Sequence, residues 1–104
     1  MPLTSRDGVA VVTIDYPPVN ALGPTSIAPL LEDLARAEAD PSVHAVVLAG
    51  ARGTFSGGAD MKTFGVMPPP RPNTRDLLER LEASRLPIVA AIEGVAMGGG
   101  LELA

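Results

Sequence analysis

Three short runs rich in β-branched and small apolar residues, Val9–Ile14 (VAVVTI), Val43–Leu48 (VHAVVL) and Ile88–Ile92 (IVAAI), are separated by two stretches of helical periodicity. That alternation constrains the fold more than any other feature. Apolar runs this short, bounded by turn residues, are read as strands buried in a sheet, and strands alternating with helices give an α/β architecture. Asp7-Gly8 before the first run is a tight-hairpin signal. Tyr16-Pro17-Pro18 ends that run, because proline cannot donate to a strand ladder.

Pro24 to Ala39 reads as the first helix, with Ile27, Leu30, Leu31 and Leu34 on one face. Thr25 or Ser26 is the expected cap, and Asp40-Pro41 the stop. Proline is tolerated in a first turn, so Pro29 sets the expected start near Ser26. Asn73 is the expected cap of a second helix with an apolar stripe of Leu77, Leu78 and Leu81, extended by the stem of Arg85, and Pro87 is its expected end. Asp76 and Arg80 are spaced to pair along it. The final LELA has the look of an opening helical turn.

Composition narrows the function classes. Of 104 residues 46% are hydrophobic, which favours a folded core over disorder. The formal charge of −4, with basic residues scattered, argues against nucleic-acid binding, and 3% aromatic content against a base-stacking platform. No cysteine is present, which excludes disulfides and thiolate metal sites, and no metal ligand set is read. No apolar run reaches the roughly 18 residues of a membrane span, and the start MPLTSRDG has no signal-peptide core, so the expected location is cytoplasmic.

Two segments carry the candidate chemistry: Phe55-Ser56-Gly57-Gly58-Ala59-Asp60-Met61 and Gly98-Gly99-Gly100-Leu101-Glu102. Each sets small residues just after a strand, where a ligand can approach the backbone. Two such loops on adjacent strands can aim two backbone N–H groups at one oxygen, an oxyanion hole. On spacing alone, glycines that merely permit tight turns are the simpler explanation. Dinucleotide and P-loop motifs are absent, since Leu103 stands where G-x-G-x-x-G needs its third glycine and no G-x-x-x-x-G-K-[ST] occurs.

Taken in order, these segments resemble the enoyl-CoA hydratase/isomerase (crotonase) superfamily. Asp15-Tyr16-Pro17-Pro18-Val19-Asn20-Ala21-Leu22 is similar to its N-P-P-x-N-A-L segment, and Val46-Val47-Leu48-Ala49-Gly50 to its second core strand. Phe55 to Lys62 resembles the F-[SA]-[AG]-G-A-D-[IL]-K loop, and Pro87 to Ala104 the signature ending in G-G-G-x-E-L-A. The resemblance implies the N-terminal portion of a crotonase-type ββα spiral fold, truncated before its C-terminal helices, as a partial domain over residues 1–104.

It further implies that main-chain N–H groups at Ala59 and Gly99 hold the thioester oxygen of an acyl-CoA, and that Glu102 is an acid/base residue. Carboxylates at helix N-termini are favoured in the ionised form that a base requires. Ser56, Gly57, Ala59, Asp60, Met61, Lys62, Gly98 and Gly99 are the expected substrate-binding positions, with Asp60 expected to organise its own loop rather than act as a catalyst, and Lys62 either near the CoA phosphates or a solvated surface lysine. No separate cofactor is expected, since coenzyme A is part of the substrate. The chain stops at Ala104, before the family's second carboxylate and the later helices that mediate its trimers. Glu93-Gly94 with Leu101–Ala104 is similar to multifunctional β-oxidation enzymes, which append a 3-hydroxyacyl-CoA dehydrogenase. The expected whole protein is therefore a trimer-based homo-oligomer or such a fusion. Other crotonase chemistry, such as thioester hydrolysis or decarboxylation, and a non-catalytic binding role remain open. His44 is expected at the surface, and Pro68–Pro72 either as a polyproline ligand or as a loop over an acyl pocket lined by Met61, Phe64 and Met67.

Overall fold

The computed structural model describes residues 4–58, 60, 65–68, 70–98, 100 and 103, except for the side chains of Thr4 and Ser5. Strand β1 (Thr4–Arg6) turns back antiparallel onto β2 (Val9–Ile14). The turn between them, Asp7 at φ 55° and Gly8 at φ 82°, has the paired left-handed conformations of a tight hairpin, which asparagine, aspartate and glycine tolerate best. Helix α1 (Pro24–Ala39) then crosses to β3 (Ala45–Gly50), and α2 (Thr74–Glu82) crosses to β4 (Ile88–Ala91). The described sheet runs β1-β2-β3-β4, with β2, β3 and β4 mutually parallel.

Both helices cover one face of the sheet. Ala10, Val12 and Ile14 of β2 and Val46 and Leu48 of β3 are buried against Ile27, Leu30, Leu34 and Ala37 of α1, with Leu77 of α2 in the same cluster. Burying each of the larger aliphatic side chains fully contributes about 1.5–3 kcal/mol. The alternate residues Val9, Val11, Ala45 and Val47 on the opposite face are only half-buried, and Val89 is 60% exposed. Strands apolar on both faces, expected of a sheet covered on both sides, are here covered on one. Near the outer edge Ile92, Val95 and Met97 are exposed too, and Leu78, Leu81, Glu82, Leu86, Ile88 and Leu103 line a hollow of about 280 Å³. Exposed apolar surface next to a strand edge promotes association. The 104-residue chain by itself is therefore expected to self-associate, as read by light scattering on a sizing column. A sharp monomer peak with cooperative unfolding would contradict this.

Several local expectations are corrected. Helix α1 starts at Pro24, not near Ser26, with Gly23 as its N-cap and Ser26 at the third helical position, where its Oγ accepts from the Gly23 N–H at 3.1 Å. Pro29 lies inside the helix. One missing backbone hydrogen bond is tolerated there because Ile27, Leu30 and Leu34 anchor both sides of it in the core. Strand β3 begins at Ala45 and not Val43. The N–H groups of His44 and Ala45 both reach the hairpin carbonyl of Gly8, and Val43 closes a turn on Asp40 O. Strand β4 stops at Ala91, one residue short of Ile92. Helix α2 stops at Glu82, capped by Ala83, well before Pro87, and Arg85 lies beyond it and exposed. Asn73 does cap α2, its side chain accepting from Asp76 N–H.

The expected Asp76–Arg80 pair does not form. Asp76 is held by Arg71 and by the Asn73 N–H, while Arg80 donates to Glu38 of α1 at 3.0 and 2.6 Å. Ser84 Oγ adds a third hydrogen bond to Glu38 at 2.9 Å. Hydrogen bonds from Arg80, and then Ser84, hold the Glu38 carboxyl down from 4.5 to about 2. A carboxyl whose pKa is depressed by folding stabilises the fold above its unfolded value, and that stability is lost as pH falls through the folded value. The melting temperature of wild type should exceed that of Glu38→Gln above about pH 4.5, and the gap should close as pH falls toward about 2. For a partly exposed charged clasp the gap corresponds to on the order of 1 kcal/mol. Parallel melting curves across this range would show that the clasp contributes nothing.

Candidate functional site

In open α/β sheets ligands bind beyond the carboxyl ends of the strands. Here the parallel strands β3 and β4 each run at that end into a glycine-rich segment, residues 51–60 and 92–100. The two segments continue side by side after the strands end. Phe55 N–H donates to Glu93 O at 2.9 Å, Ser56 N–H to Val95 O at 3.0 Å, and Met97 N–H to Ser56 O at 3.1 Å. Ser56 and Ala96 thus form an isolated parallel bridge. Phe55 is fully buried beneath it and pins the first segment to the core.

Close approach explains the glycines here. A Cβ on Gly100 would lie 2.5 Å from Ser56 O, so this turn packs backbone on backbone. A Cβ on Gly98, at φ +52°, would lie 4.0 Å from Gly58 Cα. The glycine-rich turns of the two segments therefore face each other, and Gly98 is open to solvent.

A third segment, residues 19–22, braces the first from the other side. Gly57 N–H donates to Val19 O at 2.7 Å. Leu22 N–H donates to Gly58 O at 2.7 Å, and Leu22 O accepts from Asp60 N–H at 2.8 Å. The main chain of Leu22 thereby holds both Gly58 O and Asp60 N–H. Asn20 is the hub of this brace. It is fully buried, with Oδ1 accepting from Tyr16 N–H at 3.0 Å and Arg52 Nη2 at 2.7 Å, and Nδ2 donating to Ala51 O at 3.0 Å and Thr54 O at 2.7 Å. Arg52 also pairs with Asp15. The importance of Asn20 and of the Leu22 backbone is not legible from spacing; their sole signal is the N-A-L resemblance.

The expected site residues are distributed as follows. Ser56 is fully buried, its Oγ donating to Asn20 O at 2.8 Å and accepting from Gly58 N–H at 3.1 Å. Gly57 packs on Val19, and Asp60 is half-buried with its Cβ 3.0 Å from where a Cβ on Gly23 would stand. Gly98 sits at the open end of the second segment. Ala59, Met61, Lys62, Gly99 and Glu102 lie outside the described residues, as does Phe64. Gly100 and Leu103, on either side of Glu102, are helical. Met67, expected to line an acyl pocket, is 80% exposed, and His44 is exposed. A hollow of about 410 Å³ at the start of α2 is lined by Pro68, Arg71, Asn73, Arg75, Asp76 and Glu79, but its charges pair with one another, Arg71 with Asp76 and Arg75 with Glu79. Among the described residues no group of three or more His, Asp or Glu is placed to hold a metal, and no helix is long and apolar enough to cross a membrane. What the described residues show is two glycine-rich turns joined by main-chain hydrogen bonds, with the second open to solvent at Gly98.

Comparison with known proteins places the fold among relatives. The family described as Enoyl-CoA hydratase/isomerase matches residues 4–104. The chain is 48% identical over 99 residues to the peroxisomal bifunctional enzyme of Danio rerio, covering 95% of this chain and 14% of that protein. It is 40% identical over 102 residues to a probable enoyl-CoA hydratase of Bacillus subtilis (strain 168), covering 92% of this chain and 40% of that one. Its fold superposes on human mitochondrial delta3-delta2-enoyl-CoA isomerase with a TM-score of 0.82 at 33% identity, covering 94% of this chain and 40% of that chain. The kinship with multifunctional enzymes expected from Glu93-Gly94 is met by the zebrafish relative, of whose length the chain spans only a small part. With a family match across nearly the whole chain and the family's fold beneath its glycine-rich loops, the chain belongs to the enoyl-CoA hydratase/isomerase family.

Proposed function

We infer that the whole protein hydrates or isomerises the double bond of enoyl-CoA thioesters in fatty-acid β-oxidation. In hydration, water adds across the C2=C3 bond, its oxygen to C3 and a proton to C2. As the C3–O bond forms, the electron pair shifts through C2 toward the thioester carbonyl, and negative charge develops on that oxygen. Main-chain N–H groups at Ala59 and Gly99 receive the charge, and Glu102 takes the proton from the attacking water. In isomerisation the same oxygen carries the charge of the dienolate while a proton moves between carbons. Donors already oriented before the reaction need no reorganisation as charge appears, which makes such a site effective.

The observation that carries this reading is the Ser56–Ala96 bridge, together with the grip of Leu22 on Gly58 O and Asp60 N–H. These contacts tie the two glycine-rich segments to each other and to residues 19–22 at the carboxyl end of the sheet. Coenzyme A enters as part of the substrate, with Lys62 near its phosphates, and no further cofactor is required. We expect a trimer-based homo-oligomer or a fusion to a 3-hydroxyacyl-CoA dehydrogenase, the latter supported by the bifunctional zebrafish relative. The cytoplasm and the peroxisome named for that relative are both compatible compartments.

Incubating the whole protein with trans-2-butenoyl-CoA tests the reading. Loss of the conjugated enoyl-thioester absorbance, with label from heavy-oxygen water at C3 of the product, is the expected result for hydration. Gain of that absorbance from a 3-enoyl-CoA is the result for isomerisation. Failure of both would overturn the assignment.

A further inference from the structure

We propose that Asn20 is a positioning residue for the thioester-oxygen site, setting the geometry of both donor loops without touching substrate. The proposal rests on the oxyanion reading above and deepens it. An asparagine side chain has two N–H donors and two acceptor lone pairs. In Asn20 all four are engaged, and its backbone sits at φ +55°, a region that asparagine visits more readily than most residues.

The partners span the site. Its Nδ2 holds Ala51 O and Thr54 O, which bracket the turn leading from β3 into the first glycine-rich segment. Its own carbonyl takes the Ser56 hydroxyl, and that hydroxyl oxygen in turn takes the Gly58 N–H. Gly58 directly precedes Ala59. Ser56 is also the residue bridged to Ala96 and packed on by Gly100, so the same link reaches the second loop. Thus the side-chain amide of Asn20 joins segment 19–22 to the turn that opens the first loop, and its main-chain carbonyl, through Ser56, reaches the second. Fully satisfied buried polar networks of this kind fix a single arrangement of the groups they hold. A displacement on the order of 1 Å in a catalytic group lowers rates by up to about a hundredfold.

The test uses the whole protein and a bound 3-oxoacyl-CoA, whose enolate has a near-ultraviolet absorbance that an oxyanion site intensifies. Asn20→Asp keeps the shape and the tolerance of positive φ but turns oxygen toward Ala51 O and Thr54 O. Asn20→Gly keeps the backbone conformation and deletes the amide. Both should weaken the enolate band and lower kcat by about tenfold to a hundredfold, with KM within about threefold of wild type. Leu30→Ala, a core change remote from the loops, should lower Tm without changing band or kcat per folded molecule. If the Asn20 variants behave as Leu30→Ala does, the positioning role is overturned while the oxyanion reading stands. If wild type shows no enolate band, the oxyanion reading fails and the proposal with it. Should neither Asn20 variant yield folded protein, Ser56→Ala decides: it removes only the hydroxyl between Asn20 O and Gly58 N–H, and it should cut kcat and band several-fold. An unchanged Ser56→Ala enzyme would overturn the link.

Discussion

Replacing Glu102 with glutamine in the whole protein should lower kcat by about 10²–10⁴-fold and leave KM within a few-fold of wild type. The amide has the shape of the carboxylic acid but cannot take a proton from water. On the proposed reading the loop backbones bind the CoA thioester, so binding should stay intact and the loss should fall on the chemical step. Gly100 and Leu103, the described neighbours of Glu102, are helical, and Gly100 is locked against Ser56 O. Steady-state kinetics on trans-2-butenoyl-CoA, with the Kd of a saturated acyl-CoA, separate the two effects. Wild-type kcat in Glu102→Gln would mean that the protein keeps the oxyanion site and runs different chemistry.

Gly99→Val should be damaging in another way, raising the Kd for acyl-CoA and lowering kcat together. Loss of one oxyanion donor typically costs about 2.7–4 kcal/mol, a hundredfold to a thousandfold in rate. On one side of position 99 Gly98 is held at φ +52°, and on the other a Cβ at position 100 would already be 2.5 Å from Ser56 O. A bulky group at position 99 therefore obstructs the approaching oxygen or forces the bridged loops apart. Comparing the two variants distinguishes the roles: Glu102→Gln binds and does not turn over, whereas Gly99→Val does neither well. A Gly99→Val enzyme with wild-type Kd and kcat would remove position 99 from the site.

The architecture was legible where the signals are local. The Asp7-Gly8 hairpin, the buried stripe of Ile27, Leu30 and Leu34, and the Asn73 cap each follow from residues within one or two turns. Interactions across the fold were not. Arg80 ignores Asp76 four residues away because Glu38 on the neighbouring helix accepts two hydrogen bonds from its guanidinium and Arg71 already occupies Asp76. Pro29 misplaced the start of α1 because a local rule about proline yields to core burial on both sides of it. The glycine-rich loops were visible as motifs, but their bridging through Ser56 and Ala96 depends on β3 and β4 being neighbours, which spacing alone does not fix. Asn20 is the clearest case. In the sequence it is one polar residue after two prolines, and in the fold it is fully buried with every hydrogen-bonding group engaged across more than thirty residues of chain.

The most direct measurement concerns the oxygen itself. An unreactive acyl-CoA labelled with carbon-13 at the thioester carbon reports its carbonyl stretch by isotope-edited infrared difference spectroscopy when bound to the whole protein. Two backbone N–H donors on that oxygen draw electron density toward it and weaken the C=O bond. The stretch should therefore move to lower frequency than in water, and the shift should be largely lost in Gly99→Val. A bound thioester whose carbonyl frequency matches that in water would contradict an oxyanion site built from these two loops.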